Sequence, residues 1–295
     1  MGQTSRRIGL IGVGLMGHGI ARSLLRCGHR LAFLEHRGNQ PVDDLRAAGA
    51  RSAARAAELA TGCEVLILCV TGTPEVEDAL FREGGVLEGL HEGSIVIDCS
   101  TSIPSSTIRI AAAIERAGGR FLDAPMTRTP REAAEGRLNV LVGGDAALLQ
   151  ECRPVLSCFA ENIVHTGPIG SGHRLKLLHN YVSLGFGVVL AEAAACARRA
   201  EVDDRVFLEV LGQGGGQSIA LDRLRPFIET GEDAAFRFTI ANAAKDMDYY
   251  ATMAQEIGAS RDAAMAVRDA YVRAAAGGHA GSTVPQLIDL LVQRS

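Results

Sequence analysis

Ile8-Gly9-Leu10-Ile11-Gly12-Val13-Gly14-Leu15-Met16-Gly17 reads as a buried strand running into a glycine turn and then a helix. Each spaced glycine answers a physical demand. Gly12 permits the tight turn, Gly14 lets phosphate oxygens approach the backbone, and Gly17 lets the helix lie close to the sheet. The N–H groups of the first helical turn have no partner within the helix and face incoming negative charge. Such a junction holds a pyrophosphate, so Gly12, Val13, Gly14, Leu15, Met16 and Gly17 are the first candidate cofactor-binding residues. The spacing alone recurs by chance. Its place after an apolar strand and before the helical run His18–Leu25 gives it weight.

Outward from that junction, the helix ends near Gly28 and Arg30–Leu34 is short and apolar enough for a second strand. Glu35 follows, about 20 residues beyond the glycines, where a carboxylate accepts hydrogen bonds from the adenosine ribose. It would repel a 2′-phosphate, which favours NAD. His36 and Arg37 could pair with such a phosphate and leave NADP open. Asp43–Ala60 carries one or two short helices, and Val65–Val70 is an uninterrupted apolar run of the kind found in central parallel strands. The loop after it, with Val70 and Thr71, stands at the carboxyl end of its strand, where a doubly wound sheet binds ligands. Ser94–Asp98 and Gly119–Asp123 are further strands, separated by a helix over Thr107–Ala117. This alternation reads as an α/β Rossmann-type domain with mostly parallel strands.

Arg131–Glu135 is a short helical stretch, Leu138–Val142 a strand, Asp145–Phe159 a helix and Asn162–His165 a last short strand. They extend the sheet and close the dinucleotide-binding domain over residues 1–165. From Thr166 the pattern turns helical, so residues 166–295 form an all-α domain for substrate binding and dimerisation. It begins with a long interdomain helix, His173–Glu201, whose apolar content predicts burial on several faces and whose Gly185 and Gly187 predict close packing.

A net charge of −4 with mixed signs gives no electrostatic surface for nucleic acid, and no 18-residue apolar run is expected to span a membrane. The first strand begins so soon after Met1 that no signal peptide is expected. Seven scattered cysteines without metal spacing read as satisfied apolar thiols in a reducing, cytoplasmic compartment. His165, His173 and His179 lack supporting ligands, so no metal site is expected.

For chemistry, Lys176 is the strongest candidate. It stands one turn before Asn180 on the long helix, so the two share a face. A lysine there can donate a proton to an alkoxide as a carbonyl accepts hydride, or take the alcohol proton in reverse. Asn180 can orient the lysine or the substrate oxygen. Lys245 could reach the cofactor or a substrate carboxylate, and Asp246 could hold a lysine. Ser100, Thr101 and Thr127 offer hydroxyls at strand ends, and Arg128 offers a planar fork suited to carboxylate, sulfonate or phosphate. Each also has an ordinary reading as a cap, a loop hydrogen bond or a surface charge.

In order along the chain, Gly12-Val13-Gly14-Leu15-Met16-Gly17, Asp123-Ala124-Pro125, Val142-Gly143-Gly144, Gly167-Pro168-Ile169-Gly170-Ser171-Gly172 with Lys176 and Asn180, and Lys245-Asp246 resemble the signatures of the β-hydroxyacid dehydrogenase family. That family includes 3-hydroxyisobutyrate dehydrogenase and tartronate semialdehyde reductase. The resemblance implies a nicotinamide cofactor, Lys176 as the catalytic lysine with Asn180 beside it, Thr127 in place of a substrate-binding serine, and Thr101 near both substrate and nicotinamide. It also implies that Lys245 completes the cleft and that the helical domain mediates a dimer or tetramer. Two departures stand out. Thr127-Arg128-Thr129 replaces Ser-Gly-Gly and resembles the sulfolactaldehyde reductase branch, and His179 stands where asparagine is common. The expected activity is hydride transfer between NAD(H) and a small anionic β-hydroxyacid or semialdehyde. A sulfonate substrate, or nucleotide and metabolite binding without turnover, are the alternatives.

Overall fold

The computed structural model describes residues 5–293 of the 295-residue chain. They divide into two compact units, one ending at Lys176 and one beginning at Leu177. The division falls inside the long helix because the first turn of that helix is anchored in the first unit.

The first unit is built on one sheet: β1 (Arg7–Ile11), β2 (Arg30–Leu34), β3 (Arg51–Ala53), β4 (Val65–Leu68), β5 (Ile95–Asp98), β6 (Arg120–Asp123), β7 (Met126–Thr127), β8 (Leu138–Gly143) and β9 (Ala160–Gly167). Its helices are α1 (Leu15–Arg26), α2 (Asp43–Ala47), α3 (Ala56–Gly62), α4 (Thr73–Phe81), α5 (Val86–Gly89), α6 (Pro104–Arg116), α7 (Pro130–Glu135) and α8 (Ala146–Leu156). Six parallel strands run in the order β3-β2-β1-β4-β5-β6. Beyond them β8 pairs antiparallel with β6 through Asp123 and Gly143, β7 pairs antiparallel with β8, and β9 runs parallel to β8. All four residues of β4 are buried, as a strand covered on both faces requires. On one face Ile8, Leu10, Val65 and Ile67 pack with Ile20 and Leu24 of α1; on the other Leu66, Leu68 and Val96 pack with Leu59 of α3 and Ile110 of α6. Each such aliphatic side chain contributes about 1.5–3 kcal/mol by leaving water.

The α/β assignment stands, with two strands added. β3 has three residues and β7 has two, too few to carry a readable alternation. The role given to Gly17 needs correcting. A Cβ there would lie 1.9 Å from the Gly12 carbonyl oxygen but 3.7 Å from Cys69 Cβ, so Gly17 lets the helix close on its own turn and not on the sheet. Gly12 is left-handed (φ +95°), and a Cβ there would meet the Cys69 carbonyl at 2.2 Å. Around Gly14, by contrast, a Cβ would meet no protein atom within 4 Å.

The second unit is helical: most of α9 (Ser171–Arg199), then α10 (Asp204–Gly212), α11 (Ile219–Thr230), α12 (Ile240–Glu256), α13 (Asp262–Ala274) and α14 (Leu287–Val292). Asp203, Ser218 and Thr239 cap α10, α11 and α12 with side-chain oxygens. Gly187 of α9 packs closely, since a Cβ there would lie 3.0 Å from Tyr271 Oη; Gly185 makes only ordinary contact. The buried Tyr271 hydroxyl donates to the Leu184 carbonyl at 2.9 Å.

Three expectations fail here. The long helix is not buried on several faces: Val182, Phe186 and Val189 are 52%, 49% and 61% exposed along one side. Apolar composition does not say which face finds a partner. One 18-residue window of α9 does reach the length and hydropathy of a membrane span, with mean hydropathy 1.4, although 44% of it is buried within the protein. Cys196 is exposed and not a satisfied core thiol.

These glycine environments separate two neighbouring substitutions. Gly12→Ala should lower stability by about 2 kcal/mol or more, through left-handed strain and a backbone collision. Gly14→Ala should cost less than about 1 kcal/mol. Urea midpoints of the two variants check the contrast; equal losses would show that the turn is not held as described.

Candidate active site

The glycine turn opens α1 at Leu15 with Gly14 as its cap, no side-chain cap and no acid in the first turn. Its N–H groups remain available to an anion. Leu15 is exposed, Met16 packs against the core, and Val13 is buried. Asn39, which drew no attention in the sequence, ties the turn to the end of β2. Its Oδ1 accepts from Val13 N at 3.3 Å and its Nδ2 donates to the Leu34 carbonyl at 3.0 Å. Beside it lies a groove of about 700 Å³ whose lining includes Phe33, Glu35, His36, Arg37 and Arg46. Glu35 is not a free acceptor: Arg46 Nη2 donates to it at 3.0 Å while its guanidinium stands 5.8 Å over the Phe33 ring. The bare helix terminus, the open space at Gly14 and this groove fit a dinucleotide.

At the end of β4, Thr71 is exposed and Val70 N donates to Ser100 Oγ at 3.0 Å. Ser100 is thereby turned inward, 3% exposed, while Thr101 beside it is half-buried. Beneath this loop lies a polar cluster the sequence did not reveal: Asp98, Asp123 and His173, each fully buried. Asp98 accepts from Ser100 N at 2.9 Å and from Ser102 Oγ at 3.5 Å. Burial pushes the Asp98 carboxyl above the usual range, with the nearby His173 ring opposing that shift. His173 Nδ1 lies 2.8 Å from Thr107 Oγ1, and its Nε2 lies 3.2 Å from the Ser100 carbonyl.

Thr127 is buried on β7, and its Oγ1 accepts from Asn139 Nδ2 at 3.0 Å. Asn139 Oδ1 in turn accepts from Asn162 at 2.9 Å, which fixes the amide's orientation. With one lone pair engaged by Asn139, the Thr127 O–H is placed to donate. Arg128 adopts a left-handed backbone (φ +82°), the conformation for which glycine is suited. Its guanidinium donates to the Arg137 carbonyl and to the Glu161 carboxylate, and the Arg128 hydrogen bond holds the Glu161 carboxyl below its usual range. The loop continues into α7 through a capping box of Thr129 and Glu132. The far end of α7 meets α1: Ser23 Oγ donates to the Ala133 carbonyl and Arg26 to the Ala134 carbonyl, each at 3.1 Å. A Cβ on Gly19 would lie 2.8 Å from Ala133 Cβ.

Lys176 is half-buried on α9, one turn before Asn180. In the helical unit three candidates meet. The buried Asn180 donates through Nδ2 to Asp246 Oδ2 at 2.6 Å and accepts through Oδ1 from His179 Nδ1 at 3.0 Å. Asp246, 2% exposed, stands 2.8 Å through Oδ1 from Lys245 Nζ, which lies 4.9 Å over the Tyr249 ring. Asp246 therefore links Lys245 to Asn180. One compositional signal was overlooked: of the chain's 30 lysine and arginine residues, only Lys176 and Lys245 are lysines.

Family models match both halves. That of the NAD binding domain of 6-phosphogluconate dehydrogenase covers residues 7–167, and that of the NAD-binding region of NADP-dependent 3-hydroxyisobutyrate dehydrogenase covers residues 170–291. The NAD-dependent L-serine dehydrogenase of Pseudomonas aeruginosa is 32% identical over 266 residues, 88% of this chain and 86% of that one. The 3-sulfolactaldehyde reductase of Escherichia coli is 31% identical over 272 residues, 92% of this chain and 91% of that one. A crystal structure of 3-hydroxyisobutyrate dehydrogenase from Salmonella typhimurium has a TM-score of 0.85 at 27% identity, covering 97% of this chain and 100% of that one. With a Rossmann sheet, a bare helix terminus at its glycine turn and a helical second unit, the chain belongs to the β-hydroxyacid dehydrogenase family of NAD(P)-binding oxidoreductases.

Proposed function

We propose that the protein transfers hydride between NAD(H) and a small anionic β-hydroxyacid or its semialdehyde, with Lys176 relaying the proton at the reacting oxygen. The observation that carries this reading is the restriction of lysine to Lys176 and Lys245 in a chain that otherwise uses arginine for its basic side chains. A guanidinium keeps its proton at any ordinary pH, whereas an ammonium can give one up when burial or a neighbouring cation lowers its pKa. Bound along Gly12–Gly17, the dinucleotide supplies or takes up the hydride. Lys176 takes the alcohol proton in oxidation and protonates the nascent alkoxide in reduction. Thr127, oriented by Asn139, and Thr101 donate hydroxyls to the substrate's anionic group, and Ser100 sets the loop that carries Thr101. Asn180 and Lys245, joined through Asp246, supply a polar pair for the substrate carboxylate or the cofactor.

Glu35 supports NAD over NADP, with Arg46 neutralising part of its charge. Arg128 is the residue we assign to discrimination between carboxylate and sulfonate. Its guanidinium is paired with Glu161 and would have to loosen that contact to hold either anion. The exposed apolar side of α9 supports self-association, and the free cysteines support a cytoplasmic setting.

Lys176→Ala and Lys176→Arg should each lower kcat by about 100-fold or more. NADH affinity, read by fluorescence titration, should stay within about twofold. Near-normal turnover in either variant would sink the relay. Gly14→Ala should weaken NADH binding although it hardly changes stability. Substrate identity follows from a panel of 3-hydroxyacids, L-serine, their semialdehydes and 3-sulfolactaldehyde, assayed with both cofactors. Arg128→Ala should change the carboxylate-to-sulfonate ratio of kcat/KM by about tenfold or more; an unchanged ratio removes Arg128 as discriminator. Glu35→Ser should raise the kcat/KM ratio of NADP to NAD by about tenfold, and no change would remove Glu35 from cofactor selection.

A further inference from the structure

We propose that Asp123 is a positioning residue for Lys176: its carboxylate grips the first turn of the helix that carries the lysine and so sets where the amine stands. This rests on the reading of Lys176 as proton relay.

Asp123 ends β6 and is fully buried. A carboxylate so placed must be compensated by donors. Its Oδ1 accepts from Gly170 N at 2.7 Å, and its Oδ2 accepts from His173 N at 2.9 Å. These N–H groups lie at the start of α9, where a helix has no internal acceptors to offer. The side chain thus does for α9 what a local cap does elsewhere, but from a strand of the sheet. Space around it is closed. A Cβ on Gly143 would lie 2.5 Å from Asp123 Oδ1 and 2.9 Å from its Cγ and Oδ2. A Cβ on Gly172 would lie 2.8 Å from Oδ2 and 2.3 Å from the Leu141 carbonyl. Gly143 does not have a left-handed backbone, so its need for glycine is a need for room, and Asp123 takes that room. The His173 ring adds a second tie, to Thr107 and the Ser100 carbonyl. Lys176 follows His173 by less than one helical turn, so a slide or tilt of that turn moves the amine with it. The Asp-Ala-Pro, Gly-Gly and Gly-x-Gly segments are on this reading three parts of one clamp.

Three variants test it: Asp123→Asn, Gly143→Ala, and Asp123→Ala combined with Gly143→Ala. Asparagine can accept on one side only, and its NH2 would face an N–H. Alanine at 143 crowds the carboxylate without approaching the lysine. Two readouts apply. One is kcat, KM and the isotope effect with L-serine deuterated at C3 and NAD. The other is 13C NMR of the two lysine amines after reductive methylation, where Lys245 serves as internal reference. Asp123→Asn and Gly143→Ala should each lower kcat by about 10- to 100-fold. KM for NAD should hold within about twofold, the isotope effect should rise, and the Lys176 signal should shift while that of Lys245 does not. Gly143→Ala should add little once Asp123 is alanine, because the atoms it crowds are gone. A Lys176 signal and titration matching the wild type in both single variants overturns the proposal, as does a fall in kcat with an unchanged isotope effect and Lys176 signal. If Lys176→Ala keeps its turnover, the relay reading fails by itself. The amine signal, which needs no substrate, then still decides whether Asp123 sets the lysine's place.

Discussion

Parallel pairing is the constraint on which the rest of this molecule depends. Strands that run the same way deliver their following loops to one edge of the sheet. Here that edge receives the glycine turn after β1, the Val70–Thr71 loop after β4, the Ser100–Thr101 loop after β5 and the chain after Asp123 of β6. Residues far apart in sequence therefore arrive side by side with their backbones already fixed by a buried sheet. The direction reverses only past β6, where β8 and β7 turn Thr127 and Asn139 into cross-strand neighbours. The candidate residues of the first unit are thus carried by strand ends and by the first turn of a long helix that Asp123 ties to the sheet.

What could be read from the sequence follows from how local each signal is. Val65–Leu68 declares itself through composition, since a strand buried on both faces must be apolar throughout, and Arg30–Leu34 does so through the apolar run after its exposed first residue. Glycine spacing marks the dinucleotide turn because backbone conformation and close approach are local demands. The edge strand β3 escapes because its identity lies in its pairing with β2 and not in its own three residues. Apolar α9 misleads because composition reports how much surface wants cover, not whether cover is present.

The candidate residues show the same division. Lys176, Asn180, Thr127 and Lys245 are visible by spacing and residue type. Lys245 has its partner Asp246 next to it in the chain, but the other partners come from other elements: Asp246 for Asn180, Asn139 for Thr127, Asp123 for the helix of Lys176, and likewise Glu161 for Arg128. Ser100 has a partner that residue type does not disclose: its hydroxyl oxygen accepts from the Val70 amide. The shortage of lysine, by contrast, was legible from the start and needed only to be weighed against the abundance of arginine.

The contact between α1 and α7 has a consequence of its own. The helix that opens on the pyrophosphate side touches, through Gly19, Ser23 and Arg26, the short helix that closes the Thr127–Thr129 loop. The glycine turn and the Thr127–Thr129 loop are therefore mechanically joined. A ligand bound at either end would stiffen framework that a second would otherwise have to order for itself, and the entropy of that ordering would be lost only once. Two sites that share no ligand atom could in this way favour each other's occupancy, by the same factor whichever is filled first.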